Sequence, residues 1–302
     1  MLGSGERDSY DPNEFGAYYR RLRDLGQSLW LDNITRTMLD DGTLQRYIDQ
    51  FSITGLTSNP SIFDAAIAGG SAYDRDIRQK LIEGKAAEEL FIELALDDLR
   101  RAADLFRPMF DGSDGLDGWV SMEISPLLAQ DTEGSLQAAR RIFGQAERPN
   151  LFVKIPGTPE GLGAIEAAIH AGIPVNITLL FSPAQYQAAA EAYVRGVERR
   201  AEDGLDPAVA SVASLFVSRW DAAVHEQVPG TMRNILGLAI CQKAQQACQE
   251  LFESGRWQAL ADAGALPQRL LWASTGTKDP KAPDTLYIEA LAAPDTINTI
   301  PE

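Results

Sequence analysis

Apolar segments alternate along this chain with long segments of helical periodicity, and this alternation limits the possible folds more than any other feature. The apolar segments are rich in β-branched residues and end at turn-forming residues, as buried strands do. They cover residues 28–34, 53–60, 119–125, 151–156, 174–182, 211–218, 269–275 and, more weakly, 295–301. Strands that alternate with helices form a parallel sheet. Eight such units in 302 residues favour a (β/α)8 TIM barrel, an α/β fold with extra helices, over an open doubly wound sheet.

The segments between the predicted strands include two long amphipathic helices. Residues 85–106 and 182–204 carry apolar side chains at spacings of three and four, and Ser182-Pro183 is a favourable helix start. No linker, charge block or low-complexity segment divides the chain. We therefore predict one barrel domain over residues 1–302, with an N-terminal extension or helix at 1–27 and the barrel at 28–301.

Composition excludes several classes of partner. Acidic residues outnumber basic ones by 43 to 27, for a formal net charge of −16. Nucleic acids and anionic membranes bind basic surfaces, so we expect neither as a partner. An anionic substrate would need a local cluster of cations. The N-terminus lacks the apolar core of a signal peptide, and no apolar run reaches the roughly 18 residues of a membrane span. These features predict a soluble cytoplasmic protein.

The two cysteines predict no disulfide. Cys241 and Cys248 are seven residues apart in a helical pattern, so they lie on one helix face, about two turns apart. That separation is too large for a disulfide bond. We expect reduced cysteines that pack in the interior.

Seven of the predicted strands carry polar residues at or near their C-terminal ends. In a TIM barrel these ends converge on one mouth, where the active sites of this fold lie. We therefore predict one site built from many strands. In chain order the candidates are Asp32; Thr57, Ser58 and Asn59; Glu123; Lys154; Asn176 and Thr178; Ser214 and Arg219; and Ser274 and Lys278.

Lys154 lies within the apolar strand LFVKIP and requires a specific explanation. Burying an ammonium group is costly unless it is paired or loses its proton. One explanation is a nucleophile: desolvation lowers the pKa of a lysine, and the neutral amine condenses with a carbonyl to form a Schiff base. The other is a buried ion pair with Glu123 or Asp32. Because two carboxylates and two asparagines are expected nearby, we favour the nucleophile.

Other catalytic chemistries find little support in the sequence. His170 and His225 are the only histidines and lie in no HExxH motif or Cys/His cluster, so we expect no zinc site. No G-x-S-x-G nucleophile elbow and no phosphate-binding P-loop occurs. The glycines of PGTPEGLG lack the third glycine of a dinucleotide-binding fingerprint.

Several motifs together resemble the transaldolase family, most closely its long bacterial branch. The motifs occur in the family's order and cover the chain from about residue 25: LWLDNI, GLTSNPSIF, VSMEISP, LFVKIPGTPEG, VNITLLFS, SLFVSRWD and WASTGTK. The resemblance implies a (β/α)8 barrel of the class I, Schiff-base aldolase type that needs no metal or organic cofactor. It also implies sugar-phosphate substrates and transfer of a dihydroxyacetone unit in the pentose phosphate pathway.

The resemblance assigns the catalytic roles to residues already singled out. Lys154 matches the Schiff-base lysine. Asp32 matches the acid/base that takes the proton of the substrate C4 hydroxyl as the carbon–carbon bond breaks. Glu123 matches the residue that acts through a water molecule, held with help from Thr178, while the carbinolamine forms and dehydrates.

The same resemblance implies two sets of substrate-binding residues. Asn59 and Asn176 match positions that hold hydroxyls of the bound dihydroxyacetone unit. Ser214 and Arg219 match positions that bind the sugar phosphate, and Ser274 contributes from the seventh strand.

The chain departs from the family pattern in three places. Many members have a phosphate-binding arginine where this chain offers Lys278, which lacks the bidentate fork of a guanidinium. Phe216 occupies a position where the simple fructose 6-phosphate aldolases tend to have tyrosine, and phenylalanine favours transfer over free cleavage. Members also continue into a further C-terminal helix that is missing here. We expect that a truncation removed this cover, or that a second chain, as in a homodimer, supplies it.

Three other functions remain open at this stage. A fructose-6-phosphate aldolase-type lyase would use the same lysine. An inactive truncated barrel would serve at most as a binding protein. A barrel glycosidase would use Asp32 and Glu123 as its carboxylate pair and would leave Lys154 without a role.

Overall fold

A computed structural model describes residues 12–300 and shows a closed barrel of eight parallel strands. Each strand pairs with the next in the sequence, and the eighth pairs with the first. The strands are β1 Ser28–Leu31, β2 Ile53–Thr57, β3 Trp119–Glu123, β4 Leu151–Pro156, β5 Val175–Leu180, β6 Ser211–Phe216, β7 Arg269–Ala273 and β8 Ile297–Ile300.

Helices connect the strands and surround the barrel. They are α1 Pro12–Asp24, α2 Arg36–Asp40, α3 Thr43–Phe51, α4 Pro60–Ala68, α5 Asp74–Ile82, α6 Ala87–Gly112, α7 Thr132–Ala146, α8 Pro159–His170, α9 Pro183–Glu202, α10 Ser218–Val224, α11 Leu236–Phe252, α12 Gly255–Asp262 and α13 Leu286–Ala290, with short 3-10 turns at Pro126–Leu128 and Gly230–Met232. Several connections hold more than one helix, as the prediction of extra helices requires.

The predicted fold class is confirmed, and so is each predicted strand. Most strands end earlier than predicted, because their last polar residues leave the sheet to line the mouth of the barrel. The two long helices are also found, as α6 and α9, although α6 continues to Gly112. Cys241 and Cys248 lie on α11 as free thiols, with Cys241 buried. Residues 1–11 of the predicted N-terminal extension, and Pro301 of the last predicted strand, lie outside the described residues.

Side-chain caps fix where three of the helices begin at the barrel mouth. Asn59, Thr158 and Ser182 each accept a hydrogen bond from a backbone N–H of the first turn of α4, α8 and α9. A proline follows each cap, where its fixed φ suits the first helical position and its missing N–H has no consequence. The caps therefore make each strand end turn sharply into its helix.

An aromatic cluster fills the half of the barrel interior that lies nearer the N-terminal ends of the strands. The rings of Trp119 and Phe152 stack with their centroids 4.0 Å apart, and Trp30 packs beside Phe152 at 6.0 Å. Val212, Leu271, Ala273 and Ile297 complete the cluster. Because side chains alternate along a strand, the inward positions closer to the mouth include Asp32, Glu123 and Lys154. The barrel interior is thus mainly apolar toward the N-terminal ends of the strands and mainly polar toward their C-terminal ends.

No helix within residues 12–300 is long and apolar enough to span a lipid bilayer.

Gly55 provides a test of this packed interior. A Cβ atom at Gly55 would lie 2.6 Å from Nε1 of Trp30, closer than side chains approach. We expect Gly55→Ala to lower the free energy of unfolding by about 1–3 kcal/mol, since overpacking forces neighbours off their preferred rotamers. Urea unfolding followed by circular dichroism measures the change.

Gly144→Ala is the matched control, because Gly144 lies on α7 with nothing within 4 Å of its would-be Cβ. Alanine there should raise stability by about 0.5–1 kcal/mol through its better helix propensity. Equal effects of the two substitutions would contradict the packing of Trp30 against Gly55.

Candidate active site

A cavity of about 730 Å³ opens at the C-terminal ends of the strands. It brings together most of the residues that the sequence singled out. Those that line it are Asp32, Thr57, Asn59, Glu123, Lys154, Thr178, Ser214, Phe216, Arg219 and Ser274. Each of strands β1 to β7 or the loop that follows it contributes at least one of them, so the barrel closure itself creates the site.

Lys154 lies deep in this cavity and is only 6% exposed. Its Nζ donates a hydrogen bond to the carbonyl oxygen of Ser58 at 2.9 Å and lies 3.3 Å from Oε2 of Glu123. The ion pair that the sequence left open as an alternative therefore exists, with Glu123 rather than Asp32 as the partner. Because the lysine also lines the cavity, this pair does not remove it from contact with a ligand.

The register of the sheet places the neighbours of Lys154. In the parallel ladder Lys154 lies beside Glu123 of β3 on one side and Asn176 of β5 on the other. Adjacent residues of a parallel sheet point to the same face, so all three side chains enter the barrel. A carboxylate, an amine and an amide in one row are thus a direct consequence of strand pairing.

Asn176 lies beneath the cavity rather than in its wall. Its side chain is fully buried, its Nδ2 donates to Oγ of Ser121 at 3.1 Å, and its Oδ1 accepts from Oγ of Ser214 at 2.7 Å. Both ends of the amide are therefore engaged by the protein. Ser214 reaches the cavity above it. Direct binding of a substrate hydroxyl by Asn176 stays a prediction.

Thr178 lies at a break in the regular sheet. The register between β5 and β6 shifts between Ile177 and Leu180, and Leu179 has a φ of 59°, which is unusual for a bulky side chain. Such a bulge re-aims side chains near functional sites. The hydroxyl oxygen of Thr178 is buried and has no hydrogen-bond partner among the described residues. Thr178 lines the same cavity as Glu123, so its hydroxyl group is available to form a hydrogen bond with a ligand or water there.

Asp32 extends into the cavity from the end of β1. Burial raises the pKa of its carboxyl group, and the positive charges of Lys154, Lys278 and Arg219 partly oppose that effect. Among the side chains that the structure describes, none forms a hydrogen bond with this carboxylate, although the Asp32 backbone N–H donates to Ile300 O at 3.0 Å. Its position therefore depends on the course of the backbone.

Two cations stand at the rim of the site. Arg219 lines the cavity, whereas Lys278 lines an adjoining pocket of about 370 Å³ that also contains Asp221 and Tyr287. Neither cation forms an ion pair with a carboxylate in the part of the chain that the structure describes. In a protein with a net charge of −16, two exposed cations without carboxylate partners mark a place for an anionic ligand group.

Phe216 at the end of β6 and Ser274 just after β7 also line the cavity. The Phe216 ring packs against Phe181 with centroids 5.1 Å apart, which fixes an aromatic surface toward the cavity. Ser274 has a φ of 57°, and its hydroxyl lies 3.1 Å from that of Ser218. Asn59 uses its side-chain oxygen to cap α4, and its amide nitrogen remains available to the cavity.

Ser58 was a candidate at a strand end, but it does not line the cavity, and the sequence did not indicate that its carbonyl oxygen accepts the hydrogen bond of Lys154. Several other residues line the cavity without having been predicted. Thr299 of β8 and Leu271 of β7 follow from the alternation of inward positions and could have been found that way. The face of α4 contributes Pro60, Ser61, Ile62, Ala65 and Ala66, which only the packing of the helix over the mouth reveals.

Neither histidine lines the cavity. His170 contacts Asp203 on the barrel exterior, and His225 lines the adjoining pocket. Among the described residues, no cluster of three or more His, Cys, Asp or Glu side chains could hold a metal ion.

Comparisons with known proteins identify the family of the chain. A family model described as "Transaldolase/Fructose-6-phosphate aldolase" matches residues 29–302. The chain is 45% identical to a transaldolase of Thermobifida fusca over 95% of its own length and 80% of the relative's. It is 47% identical to a transaldolase of Thiobacillus denitrificans over 92% and 80%, and 44% identical to one of an Arthrobacter species over 94% and 78%. The chain therefore belongs to the transaldolase/fructose-6-phosphate aldolase family.

The charge of Lys278 is expected to act on Asp32. Lys278→Met removes a positive charge that favours the ionised carboxylate, so the pKa of Asp32 should rise further above its ordinary value. A carboxyl ¹³C NMR titration, with Asp32→Asn to assign the resonance, measures this pKa directly.

Lys281→Met is the control, because it removes an exposed lysine three residues away that is not among the cations acting on the Asp32 carboxylate. Lys278→Arg should keep the pKa of Asp32 near that of the wild type. A pKa that is unchanged or lowered in Lys278→Met would contradict the arrangement of charges around the cavity.

Proposed function

We propose that this member of the family is a transaldolase, a transferase that moves a dihydroxyacetone unit between sugar phosphates through a Schiff base on Lys154. The reaction converts sedoheptulose 7-phosphate and glyceraldehyde 3-phosphate to erythrose 4-phosphate and fructose 6-phosphate, in the cytoplasmic pentose phosphate pathway. One observation carries the proposal above all others. A buried lysine amine lines a cavity that also holds two carboxylates from different strands.

The buried amine suits attack on a ketone. Nζ of Lys154 adds to C2 of the ketose, and the carbonyl oxygen becomes the hydroxyl of a carbinolamine after proton transfer. Loss of that hydroxyl as water leaves an iminium. The positive nitrogen then accepts the electron pair of the neighbouring carbon–carbon bond, which is why a lysine without metal or organic cofactor suffices.

Glu123 is placed for the proton transfers at C2. Its Oε2 lies 3.3 Å from Nζ, so it can exchange protons with the nitrogen and the departing oxygen through one bound water molecule. The unpartnered hydroxyl of Thr178 offers the second hydrogen bond that would hold such a water. This arrangement supports the roles that the family resemblance implies for both residues.

Asp32 serves the second half of the chemistry. As the carboxylate it takes the proton of the C4 hydroxyl while the C3–C4 bond breaks, which releases an aldehyde and leaves a three-carbon enamine on Lys154. The enamine attacks the acceptor aldehyde, and Asp32 returns the proton to the new hydroxyl. Two separate carboxylates fit a reaction whose proton transfers occur at different carbons.

The rest of the cavity supplies binding. We assign hydroxyls of the dihydroxyacetone unit to Asn59 and, by way of the network with Ser214, to Asn176. Arg219 and Lys278 at the rim, with Ser274, would hold the phosphate. Binding energy at a phosphate far from the reacting bond positions the substrate without blocking the chemistry.

Phe216 favours transfer over the lyase reaction. A phenylalanine offers no hydroxyl to orient water at the enamine, and its ring is held against Phe181. The enamine is thereby kept from protonation until an acceptor aldehyde arrives.

Trapping with borohydride tests the proposal. The protein is incubated with fructose 6-phosphate, reduced and digested, and the peptide masses are mapped. We expect a reduced hexose phosphate or three-carbon adduct on Lys154. Lys154→Arg should abolish the adduct and lower transfer to erythrose 4-phosphate by about 10³-fold or more, since a guanidinium is not nucleophilic.

Lys243→Arg is the matched control, because Lys243 is an exposed lysine on α11, and this variant should keep both adduct and activity. Absence of any adduct on Lys154 in the wild type would refute the enamine mechanism. An adduct without transfer to erythrose 4-phosphate would indicate a lyase instead of a transferase.

A further inference from the structure

A buried ionic cluster outside the cavity has no part in the chemistry described so far. It consists of Arg36 at the start of α2, Tyr73 just before α5 and Asp98 in the middle of α6. Their exposed fractions are 7%, 1% and 0%. These three residues are named the Arg36 cluster below.

The contacts within the Arg36 cluster are direct and reciprocal. Nε of Arg36 donates to Oδ1 of Asp98 at 2.8 Å, and the Tyr73 hydroxyl donates to Oδ2 of Asp98 at 2.7 Å. The backbone N–H of Arg36 donates to the Tyr73 oxygen at 3.1 Å, and the guanidinium stacks 4.3 Å from the ring centroid. Asp76 adds a further ion pair to Nη1 of Arg36 at the edge.

Stability alone is a weak reason for such a cluster. Well-packed apolar residues of similar volume often stabilise a protein as much as a buried ion pair does, because desolvation offsets most of the attraction. What the pair does impose is a fixed geometry, since charged groups with directional hydrogen bonds tolerate little displacement. The element whose geometry is fixed here is the start of α2.

The start of α2 is joined to the candidate acid/base by three residues. Residues 33–35 connect Asp32 at the end of β1 to Arg36, and Ile34 among them is 1% exposed. The Asp32 carboxylate has no hydrogen bond from another described side chain, so the backbone of this segment is its main mechanical restraint, beside the attraction of the nearby cations. One end of the segment is held by the backbone bond from Asp32 N to Ile300 O at 3.0 Å.

We propose that the Arg36 cluster positions Asp32 for proton transfer at C4, by holding the other end of the segment that carries it. Arg36, Tyr73 and Asp98 are positioning residues, because they act through Asp32 and do not line the cavity. The inference rests on the proposed function and adds to it the control of one of the two acid/base groups. Loss of the cluster should therefore impair carbon–carbon cleavage and spare formation of the Schiff base.

Two conservative variants loosen the cluster without removing its bulk. Tyr73→Phe removes the hydroxyl that joins Arg36 N to Asp98, and Arg36→Lys keeps the positive charge but loses the fixed fork of donors. We expect each to lower kcat by about 10- to 100-fold, because a displacement of about 1 Å of a catalytic group has effects of that size. KM for the sugar phosphates should stay near the wild-type value, since Arg219 and Lys278 are untouched.

The decisive readout is the composition of the trapped adduct. Fructose 6-phosphate is mixed with each variant, the released aldehyde is removed, and samples are reduced with borohydride at intervals for mass analysis. The variants should form the six-carbon adduct on Lys154 as the wild type does and convert it slowly to the three-carbon adduct. Asp32→Asn, which lacks the base, serves as the limiting reference for blocked conversion.

Tyr193→Phe is the matched control. Tyr193 lies on α9 and is also fully buried. Its hydroxyl donates to the Val209 carbonyl at 3.0 Å. This variant loses a buried tyrosine hydroxyl bond but should convert the adduct at the wild-type rate. Circular dichroism melting reports the stability of the wild type and of all four variants.

Three results separate the possibilities. Slow conversion with normal six-carbon adduct in both cluster variants supports the proposal. Conversion of the six-carbon to the three-carbon adduct at the wild-type rate would overturn it. A loss of both adducts in proportion to the loss of thermal stability would also overturn it and would show that the cluster only stabilises the fold. Absence of any adduct in the wild type would refute the proposed function itself, and this inference with it.

Discussion

The site depends on one constraint, which is that an ammonium group buried in a barrel must have partners there. Lys154 meets that requirement with the carbonyl oxygen of Ser58 and the carboxylate of Glu123. Glu123 comes from the neighbouring strand β3 and Ser58 from the loop that follows β2, so two other strand ends hold the lysine. Without the pairing of β2 with β3 and of β3 with β4 the amine would lose these neighbours, so the strand order and the reactive group are coupled.

The division of the barrel interior into an apolar and a polar half also determines the surroundings of the Lys154 amine. The stacked rings of Trp119 and Phe152 close the interior below the lysine and exclude water from that side. Above it, polar side chains open to the cavity, and the cations that suit a phosphate stand at the rim. A substrate that enters from the mouth thus meets the cations first and the amine last. In the proposed reaction, this order would let the phosphate bind before the carbonyl of the sugar reaches Lys154.

Sequence reasoning predicted the strands and most of the cavity, because both follow from short-range patterns. Alternation marks inward positions, and strand pairing in register places Glu123, Lys154 and Asn176 in one row. Contacts between elements distant in the chain could not be read in this way. Asp98 follows Arg36 by 62 residues, and no local pattern joins them. The sequence also did not predict the bulge at Leu179, because a leucine does not indicate a positive φ.

The central claim is that the Lys154 amine, at the floor of the barrel mouth, bonds covalently to the ketose. A crystal structure of the protein, reduced with borohydride in the presence of fructose 6-phosphate, tests it most directly. We predict continuous electron density from Nζ of Lys154 to the C2 carbon, with the Asp32 carboxylate facing the C4 end and any phosphate near Arg219. An unmodified Lys154, with the sugar bound outside the cavity or attached to another lysine, would contradict the account.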